Sequence, residues 1–292
     1  MAHARTFYRS LKSRWIVASL AACTIGSVGY AAATNATPMV DADLNLCAMT
    51  LSFADEFDTM SIASRDGRTA KWTAHTPWNG DFGDAVFLDP GPNGPFAVKD
   101  GILSITAKKD VKGRWTSGLI SAADGKTNGF SQRYGYFEAR MKLPKGPGLW
   151  SAFWLGTNEP RGRMDPSVEV DVIEHYGHAP KAYSSVLHIW SKNPVRVQAT
   201  PFETAVPDGS LYDSYHFYGV KVTPTFITFY LDRKPTWQVK TPAALQLPLF
   251  PLVNLAMGSG FPIDKTPNPS VLLVDYVRAY AFNPDGPTAD CP

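Results

Sequence analysis

Glu169-Val170-Asp171-Val172-Ile173-Glu174 is the stretch on which the fold turns. Glu169 and Asp171 alternate with Val170 and Val172, so in a β-strand both acids point to one face and both valines to the other. Glu174 comes one residue too late for that pattern. In a regular strand its odd offset from Glu169 sends it to the apolar face. A β-bulge around Val172-Ile173 absorbs the surplus residue and returns Glu174 to the face of the other two acids. The run then behaves as four regular steps, about 13 Å of backbone between Glu169 and Glu174.

Three acids on one strand face repel one another and raise at least one pKa. A solvated face is the commoner use of an acidic alternation. Against that use, Val170, Val172 and Ile173 are β-branched core residues in a strand among other segments that read as buried sheet. Two glutamates leaning toward each other over Asp171 come within roughly 5 Å, the separation of a carboxylate pair that performs a double displacement on a sugar.

The surrounding chain has 292 residues, 44% of them hydrophobic, with 24 Pro and 23 Gly. That is enough for one large β domain. The net charge is +2, and no Lys/Arg cluster occurs in the globular part, so a nucleic-acid partner is not expected. A monomer is.

Residues 1–33 read as a signal peptide. His3, Arg5, Arg9, Lys12 and Arg14 form a basic start, residues 15–31 an apolar run, and Ala31-Ala32-Ala33 a small-residue cleavage site. Secretion or periplasmic delivery follows. The alternative is a membrane-anchored lipoprotein, because Leu20-Ala21-Ala22-Cys23 resembles a lipoprotein box that lipidates Cys23; a membrane is a partner only on that route. Residues 34–48 read as a flexible leader and 49–292 as the catalytic β-sandwich domain. Export permits a disulfide between Cys47 and Cys291 near the two ends of the mature chain. In the chain-entropy model so long a loop is worth about 5 kcal/mol. Two unpaired thiols are the alternative.

Short β-like runs punctuated by Gly, Pro, Asn and Asp recur at 51–58, 101–107, 115–122, 134–143, 149–155, 183–190, 216–222, 226–231 and 271–282. Helical periodicity never lasts beyond two turns, and 243–247 holds one short helix at most. Many short antiparallel strands with such turns predict an all-β sandwich.

The aromatic residues fall into a pattern on these strands. Trp150 and Trp154 share a face with the small Ala152 between them, while Phe153 and Leu155 take the other. Tryptophan offers a flat apolar surface to a pyranose and an N–H to its hydroxyls. His188 and Trp190 make a similar alternating pair. Trp78, Asn79 and Phe82 lie in a Gly-bearing loop placed to rim a cleft.

Taken together, the acidic motif, Tyr134-Gly135-Tyr136-Phe137-Glu138-Ala139-Arg140, Gly148-Leu149-Trp150-Ser151-Ala152-Phe153-Trp154-Leu155 and Val274-Asp275-Tyr276-Val277-Arg278-Ala279-Tyr280 resemble glycoside hydrolase family 16. The family includes laminarinases, lichenases, agarases and κ-carrageenases. The resemblance implies a concanavalin-like jelly-roll β-sandwich of two antiparallel sheets with a concave substrate cleft. It implies hydrolysis of internal β-linkages in a polysaccharide with retention of configuration. By motif position Glu169 is the nucleophile, Glu174 the acid/base and Asp171 the residue that tunes the nucleophile. Trp150, Trp154 and Trp190 line sugar subsites, with His188 near the scissile bond.

No organic cofactor is required. A structural calcium ion is common in the family, and Asp275 with backbone oxygens near Glu56 is the expected site. The bulged motif differs from the regular Glu-x-Asp-x-Glu of lichenases. In Gly258-Ser259-Gly260-Phe261-Pro262, Phe261 stands where laminarinases usually carry a Trp, so this substrate contact lacks an N–H donor. A β-1,3 or β-1,3/1,4-glucan is the expected substrate. The alternatives are a bacterial exopolysaccharide depolymerase, a transglycosylase on the same scaffold, and a non-catalytic carbohydrate-binding lectin.

Overall fold

Alternation decides most of the strands. Residues 102–109 bury Leu103, Ile105 and Ala107 and turn Ser104, Thr106 and Lys108 away from the core. The structure, a computed structural model, describes residues 39–283 except 66, 68, 69, 79, 125, 127, 159–164 and 193. Within it, the described residues from 41 onward form one compact unit, to which everything below belongs.

The strands begin with β1 (Met49–Asp55), β2 (Ile62–Ala63), β3 (Trp72–Ala74), β4 (Val86–Phe87), β5 (Phe96–Lys99) and β6 (Ile102–Lys109). They continue with β7 (Trp115–Ser121), β8 (Gly135–Lys142), β9 (Leu149–Thr157), β10 (Ser167–Tyr176), β11 (Ala182–Lys192) and β12 (Val195–Ala205). The last five are β13 (His216–Val222), β14 (Phe226–Leu231), β15 (Lys234–Lys240), β16 (Leu249–Met257) and β17 (Ser270–Phe282). A single α-helical turn, α1 (Ser210–Asp213), precedes β13.

The sheet that carries the acids runs β12–β11–β10–β9–β16–β7–β3–β2. Behind it runs β15–β14–β13–β8–β17, whose far edge takes β6 along 270–274 and β1 along 277–282. Pairing is antiparallel apart from the short β2–β3 and β4–β7 contacts. The main core lies between the sheets, with Phe153, Leu155, Val168, Val170, Val172 and Ile173 from one layer against Phe137, Ala139, Val220 and Val277 from the other.

Unusually for a half-solvated sheet, the acid-bearing layer also buries part of its outer face. Trp154, Phe250, Leu252 and Ala256 form a second apolar cluster with Phe87, packed against by Trp78, Phe82 and Trp150. This cluster explains why β16 is buried at every position and reads as a continuous apolar run, the pattern of a strand covered on both sides.

Two expectations change here. The segment 243–247 is a turn rather than a helix, closed by Leu245 N–H donating to Pro242 O at 3.0 Å; five residues are too few to repay helix nucleation. Part of the 34–48 leader is held in place. Lys221 Nζ donates to the carbonyls of Asp41 and Asp43, and the Tyr230 hydroxyl donates to Ala42 O at 2.9 Å. The buried ammonium needs those acceptors, so residues 41–43 of the leader make fixed contacts with the sandwich. Cys47 lies in a 3-10 turn at Leu46–Ala48. Its expected partner Cys291, the lipidation candidate Cys23 and the rim residue Asn79 lie outside the described residues.

Candidate active site

Two partners report the bulge in β10. Against β9 the register shifts between Asp171 and Ile173, and against β11 between Asp171 and Glu174. Val172 and Ile173 both turn into the main core, 2% and 0% exposed. Glu174 therefore returns to the side of Glu169 and Asp171. The bulge frees a carbonyl from the ladder, and the buried Ser185 supplies the missing donor, with its Oγ 2.8 Å from Val172 O.

Around the acids the strands place a compact set of donors. His188 Nε2 lies 3.1 Å from Asp171 Oδ2. Polar ligand atoms of Glu169, Asp171 and His188 fall within 4.8 Å of one another. Trp150 Nε1 donates to Glu174 Oε1 at 3.1 Å, and the Tyr176 hydroxyl donates to the same oxygen at 3.2 Å. Both donors favour the Glu174 anion while leaving Oε2 without a protein partner of theirs. The Trp150 and Tyr176 rings stack at 5.7 Å, which fixes the pair.

Electrostatics follow from crowding. Burial holds the Glu169 carboxyl well above the usual carboxylate range and the Asp171 charge adds to it, while His188 and Trp190 oppose the rise. Burial, then the Glu174 charge, raises Asp171 in the same direction. Burial raises Glu174, against the pull of His188, Tyr176 and Trp150 toward the anion. The cluster therefore resists carrying three negative charges at once and retains a proton to a higher pH than free carboxylates do. Among the described residues, Trp190 Nε1 and His188 Nδ1 are buried without a hydrogen-bond partner, and the two rings stack at 5.5 Å. On the opposite side of β10, His175 packs into the protein against Tyr212, and burial pushes its pKa down to about 4.

The other expected site residues separate into groups. Trp150 stays half-buried at the acids. Trp154, expected beside it on an open face, is covered: it is 5% exposed, its Nε1 donates to Asn254 Oδ1 at 2.9 Å, and Trp78 stacks over it at 5.8 Å. Trp78 is thus the outer ring of that pair. Phe261 is exposed beyond the Glu174 end of the site, packed on His178 at 3.8 Å and Tyr176 at 5.3 Å.

The Asp275 carboxylate does not fit the calcium site expected of it. Asp275 is paired with Arg140, and Glu56 accepts twice from Arg278 at 2.8 Å. A guanidinium on each carboxylate supplies the positive charge a cation would bring. Tyr176, Asn254 and Ser185 were not singled out from sequence. Tyr176 had a signal, because with the bulge counted it is the next residue of β10 on the face of Glu174.

The protein-family model described as Glycosyl hydrolases family 16 matches residues 93–276. The chain is 31% identical to the endo-1,3-1,4-beta-glycanase EglC of Rhizobium meliloti (strain 1021), across 83% of this chain and 54% of that protein. It is 29% identical to the glucan endo-1,3-beta-glucosidase A1 of Niallia circulans, across 82% of this chain and 39% of that protein. The chain thus spans about half the length, or less, of these curated relatives. The catalytic domain of an endo-1,3-beta-glucanase (laminarinase) from Thermotoga petrophila RKU-1 superposes with a TM-score of 0.60 at 22% identity, covering 80% of this chain and 98% of that one. That likeness bears on the fold, a jelly-roll sandwich.

Proposed function

This chain belongs to glycosyl hydrolase family 16, and from that premise we propose that it is a retaining, endo-acting glycoside hydrolase that cuts internal linkages of a β-1,3/1,4-linked glycan. The observation that carries the reading is the bulge at Val172–Ile173, which gathers Glu169, Asp171 and Glu174 on one face. In the first step a Glu169 oxygen attacks the anomeric carbon as the glycosidic C–O bond breaks, and Glu174 gives its proton to the departing oxygen. In the second, Glu174 takes a proton from water, the hydroxide oxygen attacks the same carbon, and Glu169 leaves. Atoms and charge balance without an organic cofactor.

Each neighbour has a task in that cycle. Asp171, held by His188, keeps negative charge beside the nucleophile and so raises its basicity. Trp150 and Tyr176 orient Glu174 through Oε1, which leaves Oε2 to carry the proton. Trp78, Trp190 and Phe261 offer apolar faces to sugars on either side of the acids. The mixed linkage is favoured by the name of the Rhizobium meliloti relative, an endo-1,3-1,4-beta-glycanase. Export through residues 1–33, with lipidation at Cys23 as the alternative, and a Cys47–Cys291 bridge complete the proposal.

The test is release of reducing ends from laminarin, mixed-linkage β-glucan, agarose, carrageenan and bacterial exopolysaccharides, with products read by mass. Cleavage of the mixed-linkage polymer, abolished by Glu169→Gln and by Glu174→Gln with oligosaccharide binding retained, is the expected result. Cleavage of an exopolysaccharide alone moves the substrate to that class. Binding without cleavage of any polymer makes the protein a lectin.

A further inference from the structure

The loop that carries Trp78 and Phe82 over the acid-bearing sheet is tied down by a polar hub that the proposed chemistry does not use. Asp81 is its centre. Arg65 Nη2 donates to both Asp81 oxygens at 2.9 Å, His75 Nδ1 lies 2.8 Å from Oδ2, and the Thr76 N–H donates to Oδ1 at 3.2 Å. Thr76 Oγ1 donates to Gly80 O at 2.8 Å, closing the loop on itself. The second His75 nitrogen lies 3.3 Å from Asp89 Oδ1. Burial works against an ionised Asp81, yet the His75 hydrogen bond, the Thr76 N–H and the charges of His75 and Arg65 together hold its pKa below the usual value. Asp81 is a fixed anion.

Holding this arrangement has a cost, which argues for a purpose. His75 sits at φ 72, in the left-handed region that favours glycine. On the other side of Phe82, Gly83 at φ +77 presses so close to β16 that a Cβ there would meet Met257 O at 2.7 Å. Phe82 is thereby fixed between two pins. Its ring packs on Trp150 at 5.1 Å and on Trp154 at 6.1 Å. Trp150 in turn donates its indole N–H to Glu174. From the hub to the carboxylate is a run of three contacts, Asp81 to its neighbour Phe82, Phe82 to Trp150, and Trp150 to Glu174.

We propose that Asp81 is a positioning residue for Glu174, acting through Phe82 and Trp150. The inference rests on the assignment of Glu174 as acid/base under the proposed function, and it adds the Arg65–His75–Asp81 hub to that site. A displaced Trp150 leaves Glu174 with Tyr176 as its remaining donor, facing the charges of Asp171, Glu169 and His188. Proton delivery then suffers where the leaving group needs a proton and not where it does not. Misplacement of a reacting group by about 1 Å costs on the order of 100-fold in rate, so a partial release is expected to cost about tenfold.

The experiment compares Asp81→Ala with wild type on two substrates by kcat/KM, which reports the glycosylation step. One is mixed-linkage β-glucan, whose leaving group is a sugar. The other is a 2,4-dinitrophenyl β-glycoside of a disaccharide from that polymer, whose leaving group departs unprotonated. The expected result is a loss of about tenfold or more on the polymer and less than about twofold on the aryl glycoside. The alkaline limb of the polymer pH profile should also move upward. If Asp81→Ala does not fold, Phe82→Leu should show the same selective loss and Phe82→Tyr should not. Equal losses on both substrates, or no loss on the polymer, overturn the inference while the proposed function stands. A wild type that cleaves no polymer overturns both.

Discussion

Glu174 receives both of its protein hydrogen bonds on one oxygen, and that asymmetry is the most informative feature at the scale of a single residue. In the role proposed for Glu174, a carboxyl that gives up a proton and later takes one back needs one oxygen held and the other open. Trp150 holds it with a donor that favours the anion. Trp150→Phe keeps the ring and removes that donor, so the Glu174 pKa should rise and the alkaline limb of kcat/KM should move upward with it, while kcat falls about tenfold or more. A pH–rate series on the purified variant checks this. A downward shift would mean that Trp150 acts on something other than Glu174. Nothing in the sequence around Trp150 announced this contact. Its alternation with Ala152 and Trp154 pointed to a sugar platform, and only the packing of Phe82 and Tyr176 against it turns the N–H to the acid.

At the scale of an element, the bulged strand is the device. Its surplus residue was legible because the acids keep count: an odd offset between Glu169 and Glu174 is incompatible with one shared face unless a residue is absorbed. The partner that makes the bulge affordable was not legible, since Ser185 is an ordinary polar residue on a neighbouring strand. Ser185→Ala leaves Val172 O without its donor and should cost about 1–3 kcal/mol of stability, read from denaturant midpoints. Deleting Val172 is the sharper change. It restores regular register toward one partner and should abolish cleavage by displacing Glu174, with circular dichroism still reporting a β fold. Full activity in the deletion variant would show that the bulge is not what gathers the acids. Strands β12 and β16 escaped the sequence for opposite reasons. β12 is an exposed edge strand interrupted by Pro201, and β16 is buried on both faces and lacks alternation.

For the molecule as a whole, the buried acid cluster is a stability liability carried by the sandwich. Burial raises the pKa values of Glu169, Asp171 and Glu174 above those of the unfolded chain. The folded state thus holds protons that the unfolded state has already released. This contribution to stability is complete below the unfolded carboxylate values, near 4.5 for Glu, and is lost as pH rises through the raised folded values. Glu169→Gln should therefore raise Tm at neutral pH, with the gain shrinking as pH falls through the raised folded value and absent below about 4.5. A constant offset at every pH would mean that the carboxylate charge is not the source. The overall architecture followed from strand spacing, whereas the second apolar cluster on the outer face did not, because it joins Trp78, Phe82 and Phe87 to Trp150, Trp154 and β16, more than sixty residues away. That cluster covers Trp154.

The central claim is that Glu169 forms a covalent bond to sugar, and trapping tests it most directly. The enzyme is incubated with a 2-deoxy-2-fluoro β-glycoside bearing a dinitrophenolate leaving group, then digested, and the labelled peptide is sequenced by mass spectrometry. The account predicts one glycosyl adduct per chain, located on Glu169 and lost in Glu169→Gln. An adduct on Glu174, or an active enzyme that never accumulates an adduct and releases product of inverted configuration, would contradict it.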